Sequence, residues 1–435
     1  MAHLNSTITL KKNTDIIWPL VFIQLLRLIG IGDTITFIIM LGYIVAMFVK
    51  AKKIIIPHIA GIRLYLIVIC YSAFVGFLLQ STRAWSRDIF YILPTVIIIF
   101  LGYFCNKIYP DKSILKTIYV IGLMISIYAF LQLITHPSII YDFAELRVTM
   151  GIEIYEISMI FVAFIIDKFF FGRIVFSRVV DIIMMFVMLA QIILSFGRTQ
   201  IIIIVTMISF AVIFTLIYSR QLRKNIVQIF ALLVVSVVFV YLCMKFVPND
   251  IFSDFSEKWE TTNTEINTDQ EINSNMDAIQ NWRAYEMQSA AKQWHRSSAL
   301  VMLFGKGLGE GIQIEYVPYT WKQFEIVENG KIPILHNSYY TLLVKSGIVG
   351  VIALIITYFS GLIFMFKNIR KYPSIKKELI IVGVFSIGGA IMGYVVNGIF
   401  TLHYMFTWGI VLGYVNSRAH DVKTNVEDEE DKSGE

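Results

Sequence analysis

Twelve runs of mainly apolar residues, most of them near the length of a bilayer crossing, dominate this sequence. A spanning helix needs about 20 such residues. The runs lie near 16–31, 34–49, 57–80, 89–105, 114–135, 152–170, 174–196, 200–218, 226–247, 338–366, 379–395 and 397–416. A chain of 57% hydrophobic and 16% charged residues departs from soluble domains, which run at about 45–50% apolar and about 25% charged. Disorder is excluded too, since it needs low hydrophobicity and high net charge. The expected architecture is an all-α polytopic integral membrane protein with about 12 transmembrane helices and one large external loop between helices 9 and 10. Residues 1–247 carry the first nine helices, 248–335 the loop, 336–416 the last three, and 417–435 a disordered acidic cytoplasmic tail.

The net charge of +6 is explained by orientation in the membrane rather than by an acidic partner, and no nucleic acid is expected. Basic residues cluster after even-numbered runs: Lys50, Lys52 and Lys53; Lys107, Lys112 and Lys116; Arg173 and Arg178; Arg220, Arg223 and Lys224; Lys367, Arg370, Lys371, Lys376 and Lys377. The positive-inside rule makes that face, and with it both termini, cytoplasmic. Cys70, Cys105 and Cys243 sit in or beside apolar runs without paired spacing, as small hydrophobes do. No cleavable signal peptide is expected, because the first apolar run leads straight into others.

The insert at 248–335 falls on the opposite face. It opens with a polar stretch, continues as an expected helix from about Ala278 to Ser298, and turns through Gly305-Lys306-Gly307-Leu308-Gly309-Glu310-Gly311. Tyr316, Tyr319, Trp321 and Phe324 follow. The glycine run follows no clear strand, so it reads as a turn rather than a nucleotide loop. A transporter built from repeats shows similar halves. This chain is split nine and three by the insert, which favours binding or chemistry at the outer interface.

Several charges have no orienting role. Arg198 ends the seventh run in Ser195-Phe196-Gly197-Arg198-Thr199-Gln200 and reads either as a snorkelling arginine or as an anion contact. Arg147 stands in the outer loop between the fifth and sixth runs. Arg283 falls on the apolar face of Ile279, Trp282, Met287, Ala290, Ala291 and Trp294, and needs either Glu286 or a substrate phosphate as partner. His336 precedes the tenth run, where Asn337 or Ser338 is a plausible N-cap, and a histidine there can serve as general base. Lys345 and Arg27 are intramembrane charges whose partners the sequence does not name. No metal-ligand spacing occurs in the outer loops, and no metal or cofactor is expected.

The string His336-Asn337-x-Tyr339-x-x-Leu342-x-x-x-x-Gly347-x-x-Gly350, opening a span after a large loop, resembles the O-antigen polymerase and ligase family. Arg283 before a Trp-containing helix and glycine turn, and Ser195-Phe196-Gly197-Arg198-Thr199, fit the same family. Lys345 departs from it, where an acidic or apolar residue is more usual. The resemblance implies a glycosyltransferase acting on oligosaccharide repeat units linked to undecaprenyl diphosphate at the outer face of the bacterial plasma (inner) membrane. It implies metal-independent transfer, with His336, Arg198 and Arg283 catalytic and with Arg147, Asn337, Tyr339 and Glu310 binding substrate. The products in view are O-antigen, capsular or exopolysaccharide. Besides the lipid-linked substrate and membrane lipid, a flippase and a chain-length regulator are the expected partners. Polymerase is the expected activity. A ligase passing polymer to lipid A core or another acceptor, and a flippase of lipid-linked glycans, are the alternatives. The flippase fits less well with a long outer loop and outer-face arginines.

Overall fold

A computed structural model describes residues 15–51, 59, 61–219, 241, 245, 248–260, 271–317, 327 and 330–433. The expected span 226–247 lies outside these residues except at two positions, as do Arg220, Arg223, Lys224, Cys243, Tyr319, Trp321 and Phe324.

Helices make up almost all of the described fold. They run as α1 (Trp18–Leu28), α2 (Asp33–Ala51), α3 (Ile62–Leu79), α4 (Thr82–Ile108), α5 (Ile114–Thr135), α6 (Phe143–Met150), α7 (Ile154–Ile165), α8 (Arg178–Leu194) and α9 (Arg198–Tyr218). The insert contributes α10 (Asn249–Glu260), α11 (Asn275–Gln280), α12 (Trp282–His295) and α13 (Ala299–Phe304). The chain ends with α14 (Ser338–Asn368), α15 (Lys376–Val395) and α16 (Leu402–Ser433). Two short strands, β1 (Ile312–Gln313) and β2 (Lys331–Ile332), pair antiparallel with Ile312 opposite Ile332.

Among the described residues, six helices are long and apolar enough to cross a membrane, seven if the bent α6–α7 pair is one span. The count of about 12 is therefore larger than these residues establish. Two further apolar helices, α1 and α2, are present, α1 being shorter than a full crossing. Large side chains such as Ile67, Phe74 and Leu79 on α3 are 64–68% exposed, an apolar surface suited to lipid rather than water. This is the make-up of a multi-pass membrane protein.

Three breaks depart from the expected elements. The expected outer loop before the sixth run contains the short helix α6, and the chain bends by 55° between α6 and α7, where Glu153 has a φ of 51° outside the helical region. Arg147 is thereby on a short helix, not in a loop; Asp142 caps that helix by accepting the Glu145 N–H at 3.0 Å. The expected helix Ala278–Ser298 breaks at Asn281 into α11 and α12, a residue type whose amide competes with helical hydrogen bonding. Ile279 is then 47% exposed, and the buried face of α12 is formed by residues including Tyr285, Glu286, Met287 and Ala290. The third break is inside α14, where Gly347 has φ 64° and ψ −164°.

The C-terminal helix α16 continues to Ser433, where a disordered tail from 417 is expected. Its continuation is anchored at Asp421, which accepts from Lys107 Nζ and, at 2.8 Å, from Asn106 Nδ2 on α4. Higher up, Gly102 and Gly413 lie so close to the facing backbone that neither has room for a Cβ, the small-residue contact that lets membrane helices approach.

The glycine turn after α13 is wedged between α3, α4 and α14. Gly305, Gly307 and Gly309 all have positive φ, and a Cβ would meet Lys345 backbone, Gly76 backbone and Trp85 backbone in turn. Only glycine combines that conformation with that approach. Leu308 N–H donates to the Ser72 carbonyl at 2.8 Å, and Gly307 N–H to the Lys345 carbonyl at 2.9 Å. The turn thus docks the insert on one end of the helical bundle.

Candidate functional site

The arginine site starts from the turn between α8 and α9. Phe196 takes a positive φ of 47°, uncommon for a bulky residue, and is held by aromatic contacts with Phe143 at 5.9 Å and Phe255 at 5.4 Å. Gly197 follows because the Gln200 amide fills the space a Cβ would take. That amide donates to the Ile192 carbonyl at 3.0 Å and to Ser195 Oγ. The turn delivers Arg198, 8% exposed, at the first position of α9, where helix N–H groups and the guanidinium both favour an anion.

Arg198 opens onto a cavity of about 370 Å³ together with Arg147 from α6 and Arg283 from α12. The described lining also includes Tyr155, Thr199 and Gln200, and it contains no Asp or Glu. Arg147, Arg198 and Arg283, separated by as much as 136 positions, are thus gathered on one space. The Arg283 guanidinium also lies over the Trp282 ring, 5.0 Å from its centre, a cation–π placement.

Arg283 borders a second, narrower cleft with Glu286, Met287, His336, Asn337 and Tyr394. Here the Glu286 carboxylate, 2% exposed, holds His336 twice. It accepts the His336 backbone N–H at 2.9 Å and lies 3.1 Å from Nδ1. The Trp282 ring stands edge-on to the imidazole with centroids 3.9 Å apart. A carboxylate at Nδ1 selects the tautomer protonated there, which leaves the Nε2 lone pair available as a base. The His336 side chain remains 47% exposed. Glu286 is the residue that sequence reading missed in this role. It was visible as a carboxylate on an apolar face, but Arg283 three positions away was the only partner within sequence reach.

Asn337 and Tyr339 sit beside His336 but point into structure. Asn337 Oδ1 caps α14 by accepting from the Tyr339 and Tyr340 N–H groups at 3.0 and 3.1 Å, while Nδ2 donates to the Tyr394 carbonyl at 2.9 Å. Tyr339 Oη donates to the Ala390 carbonyl at 2.9 Å. The expected N-cap is therefore Asn337. A substrate-binding role for either side chain would compete with these bonds, and both act in the structure as positioning groups. Glu310 lies apart from the arginine cavity. Its carboxylate meets Gln293 Nε2 at 3.1 Å and Lys331 Nζ at 3.2 Å.

The two intramembrane charges find partners far along the chain. Lys345 Nζ donates to Asp88 Oδ2 and to the Glu310 carbonyl, each at 2.5 Å. Asp88 Oδ2 also accepts the Gly309 N–H at 2.6 Å. Arg27 reaches Glu153 at 3.0 Å, Glu156 at 3.5 Å and Gln24 at 2.7 Å, and so braces the α6–α7 break. In the insert, Tyr285 Oη accepts the N–H groups of Glu315 and Tyr316 at 2.8 and 2.6 Å. Burial pushes its phenol above the usual tyrosine range.

Fold and site together define a multi-pass membrane protein with a cationic cavity next to a carboxylate-held histidine. A family model described as O-antigen ligase matches residues 183–355. The match begins in α8 and ends within α14; it takes in Arg198, Arg283, Glu286, Glu310, His336, Asn337 and Tyr339, and leaves Arg147 outside. Over this segment, less than half of the chain, the sequence is similar to the O-antigen ligase family, as its motifs lead one to expect. No curated protein matches the chain.

Proposed function

We propose that the protein is a polysaccharide polymerase that joins oligosaccharide repeat units carried on undecaprenyl diphosphate at the outer face of the bacterial plasma membrane. The carrying observation is the cavity shared by Arg147, Arg198 and Arg283, with Arg283 also bordering the cleft of His336.

The donor diphosphate binds in the arginine cavity, where guanidinium groups match phosphate oxygens by charge-assisted bonds. The acceptor hydroxyl attacks the anomeric carbon of the donor. His336 Nε2 takes the hydroxyl proton as the new C–O bond forms. The bond from the anomeric carbon to the diphosphate oxygen breaks, and its electron pair leaves with the diphosphate. Arg198 and Arg283 stabilise that negative charge as it develops. Glu286 orients the imidazole and stabilises the imidazolium. Asn337 fixes the start of α14 on which His336 is mounted. In this reading both termini are cytoplasmic, and a flippase and a chain-length regulator act with the protein.

The second reading is a ligase, favoured by the description of the matching family model. Deletion of the gene separates the two. Single repeat units accumulating in place of polymer support the polymerase, and polymer stranded on its lipid carrier supports the ligase. Elongation of lipid-linked repeats by the purified protein in detergent argues against a flippase.

A further inference from the structure

Beyond the arginine cavity, α12 borders a second and larger space of about 770 Å³, which Glu271, Asn273 and Tyr340 line from the other side. Its volume is within the roughly 300–1,000 Å³ range of ligand sites. At 3.6 residues per turn, α12 presents three neighbouring faces. Arg283 lines the arginine cavity, Glu286 holds His336, and Met287, Ala291 and His295 line the larger groove. Met287 belongs to both the groove and the His336 cleft, and Tyr340 lies one turn beyond His336 on α14. The groove therefore adjoins the His336 cleft at Met287.

We infer that this groove binds the glycan of the acceptor, the oligosaccharide whose hydroxyl is presented to His336. The inference rests on the arginine cavity being the donor diphosphate site. A displacement at the anomeric carbon needs the incoming hydroxyl and the leaving group at one centre, and both spaces adjoin the His336 cleft, the groove through Met287 and the arginine cavity through Arg283. Its lining suits a polyhydroxylated chain. Asn273 and Gln288 offer amides, and Tyr340 offers a phenol and an aromatic face. Lys292 and Arg296, both exposed, outnumber Glu271, the one carboxylate of the described lining, which favours sugars bearing carboxylate or phosphate groups.

The test measures two ligands on the detergent-purified full chain. One is undecaprenyl diphosphate alone. The other is the oligosaccharide released by mild acid from the cells' own lipid-linked glycan. Ala291→Trp fills the groove and is expected to weaken binding of the free oligosaccharide roughly tenfold or more while leaving undecaprenyl diphosphate binding unchanged. Arg198→Ala is expected to do the reverse. Unaltered oligosaccharide binding by Ala291→Trp overturns the groove. Unaltered diphosphate binding by Arg198→Ala overturns the donor site instead, and so separates the two failures. Should Ala291→Trp not accumulate, the double surface variant Lys292→Glu with Arg296→Glu decides by the same loss or retention. Incorporation of the free oligosaccharide into product by the wild-type protein marks it as acceptor. Inhibition of elongation without incorporation assigns the groove to the donor chain and overturns the inference.

Discussion

Two regions of this molecule bury charge, and they do so differently. Around Asp88 and Lys345, and around Arg27 with Glu153 and Glu156, each cation meets carboxylates at 2.5–3.5 Å and the side chains have almost no exposure. Around Arg147, Arg198 and Arg283, the charges line a cavity whose described lining has three arginines and no acidic residue. The first arrangement fixes architecture: it docks the glycine turn and braces a broken helix. The second keeps positive potential facing a space that a ligand can enter. Intramembrane charge is costly in either case; the two regions differ in what their charges border, carboxylates in the first and a cavity in the second.

The strongest way to break the comparison is at the histidine. His336→Ala is expected to lower elongation by about 10²–10⁴-fold, the usual worth of a general base. Its side chain is half exposed, so abundance and thermal unfolding in detergent stay near wild type. Polymer at wild-type length from a well-expressed His336→Ala protein sinks the base role.

The next effect belongs to the architectural pair. Lys345→Met leaves the buried Asp88 with Arg87, at 3.6 Å, in place of its close ammonium partner; the loss is expected to cost up to about 3–5 kcal/mol and should appear as a drop in thermal midpoint or in membrane abundance. Adding Asp88→Leu removes the stranded charge and should recover much of the loss. Recovery stays incomplete, because the Gly309 N–H then loses its acceptor, worth about 1–3 kcal/mol. A Lys345→Met protein as stable as wild type would remove the distinction between the two regions.

Arg198→Lys sharpens the comparison on the cavity side. The charge is kept, but the planar fork that meets two phosphate oxygens is lost. Loss of one charge-assisted bond, about 1.5–3 kcal/mol, is expected to weaken undecaprenyl diphosphate binding by roughly ten- to hundredfold. Equal binding by the lysine variant means that Arg198 acts as a point charge or not at all.

The contrast between the regions also explains what was legible in the sequence. The membrane class was legible because lipid allows apolar runs that water forbids. Arg198 and Arg147 stood out because the positive-inside rule gave them no role, and Arg283 because it broke an apolar face; the structure places all three on one cavity. The Asn337 cap was legible because capping is local. What escaped notice was long-range. Lys345 and Asp88 are 257 positions apart, Arg27 and Glu153 are 126 apart, and Glu286 and His336 are 50 apart. Pairing across such separations depends on helix packing, which no periodicity encodes. The breaks at Asn281 and Gly347 were hidden for a related reason: tertiary contacts, not the local apolar pattern, decide where those helices stop.

The smallest expected effect tests the border between the regions, at Tyr339. This residue is about one turn from His336, yet its hydroxyl is spent on the Ala390 carbonyl of α15 at 2.9 Å. Tyr339→Phe removes one neutral hydrogen bond and is expected to cost about 0.5–1.5 kcal/mol of stability, read as a small drop in thermal midpoint. Because the ring and its packing remain, elongation should change by less than about threefold. A loss of elongation far beyond the loss of stability would mean that the hydroxyl leaves Ala390 to contact substrate. Tyr339 would then belong with the arginines rather than with the scaffold, and α14 would have to shift when substrate binds.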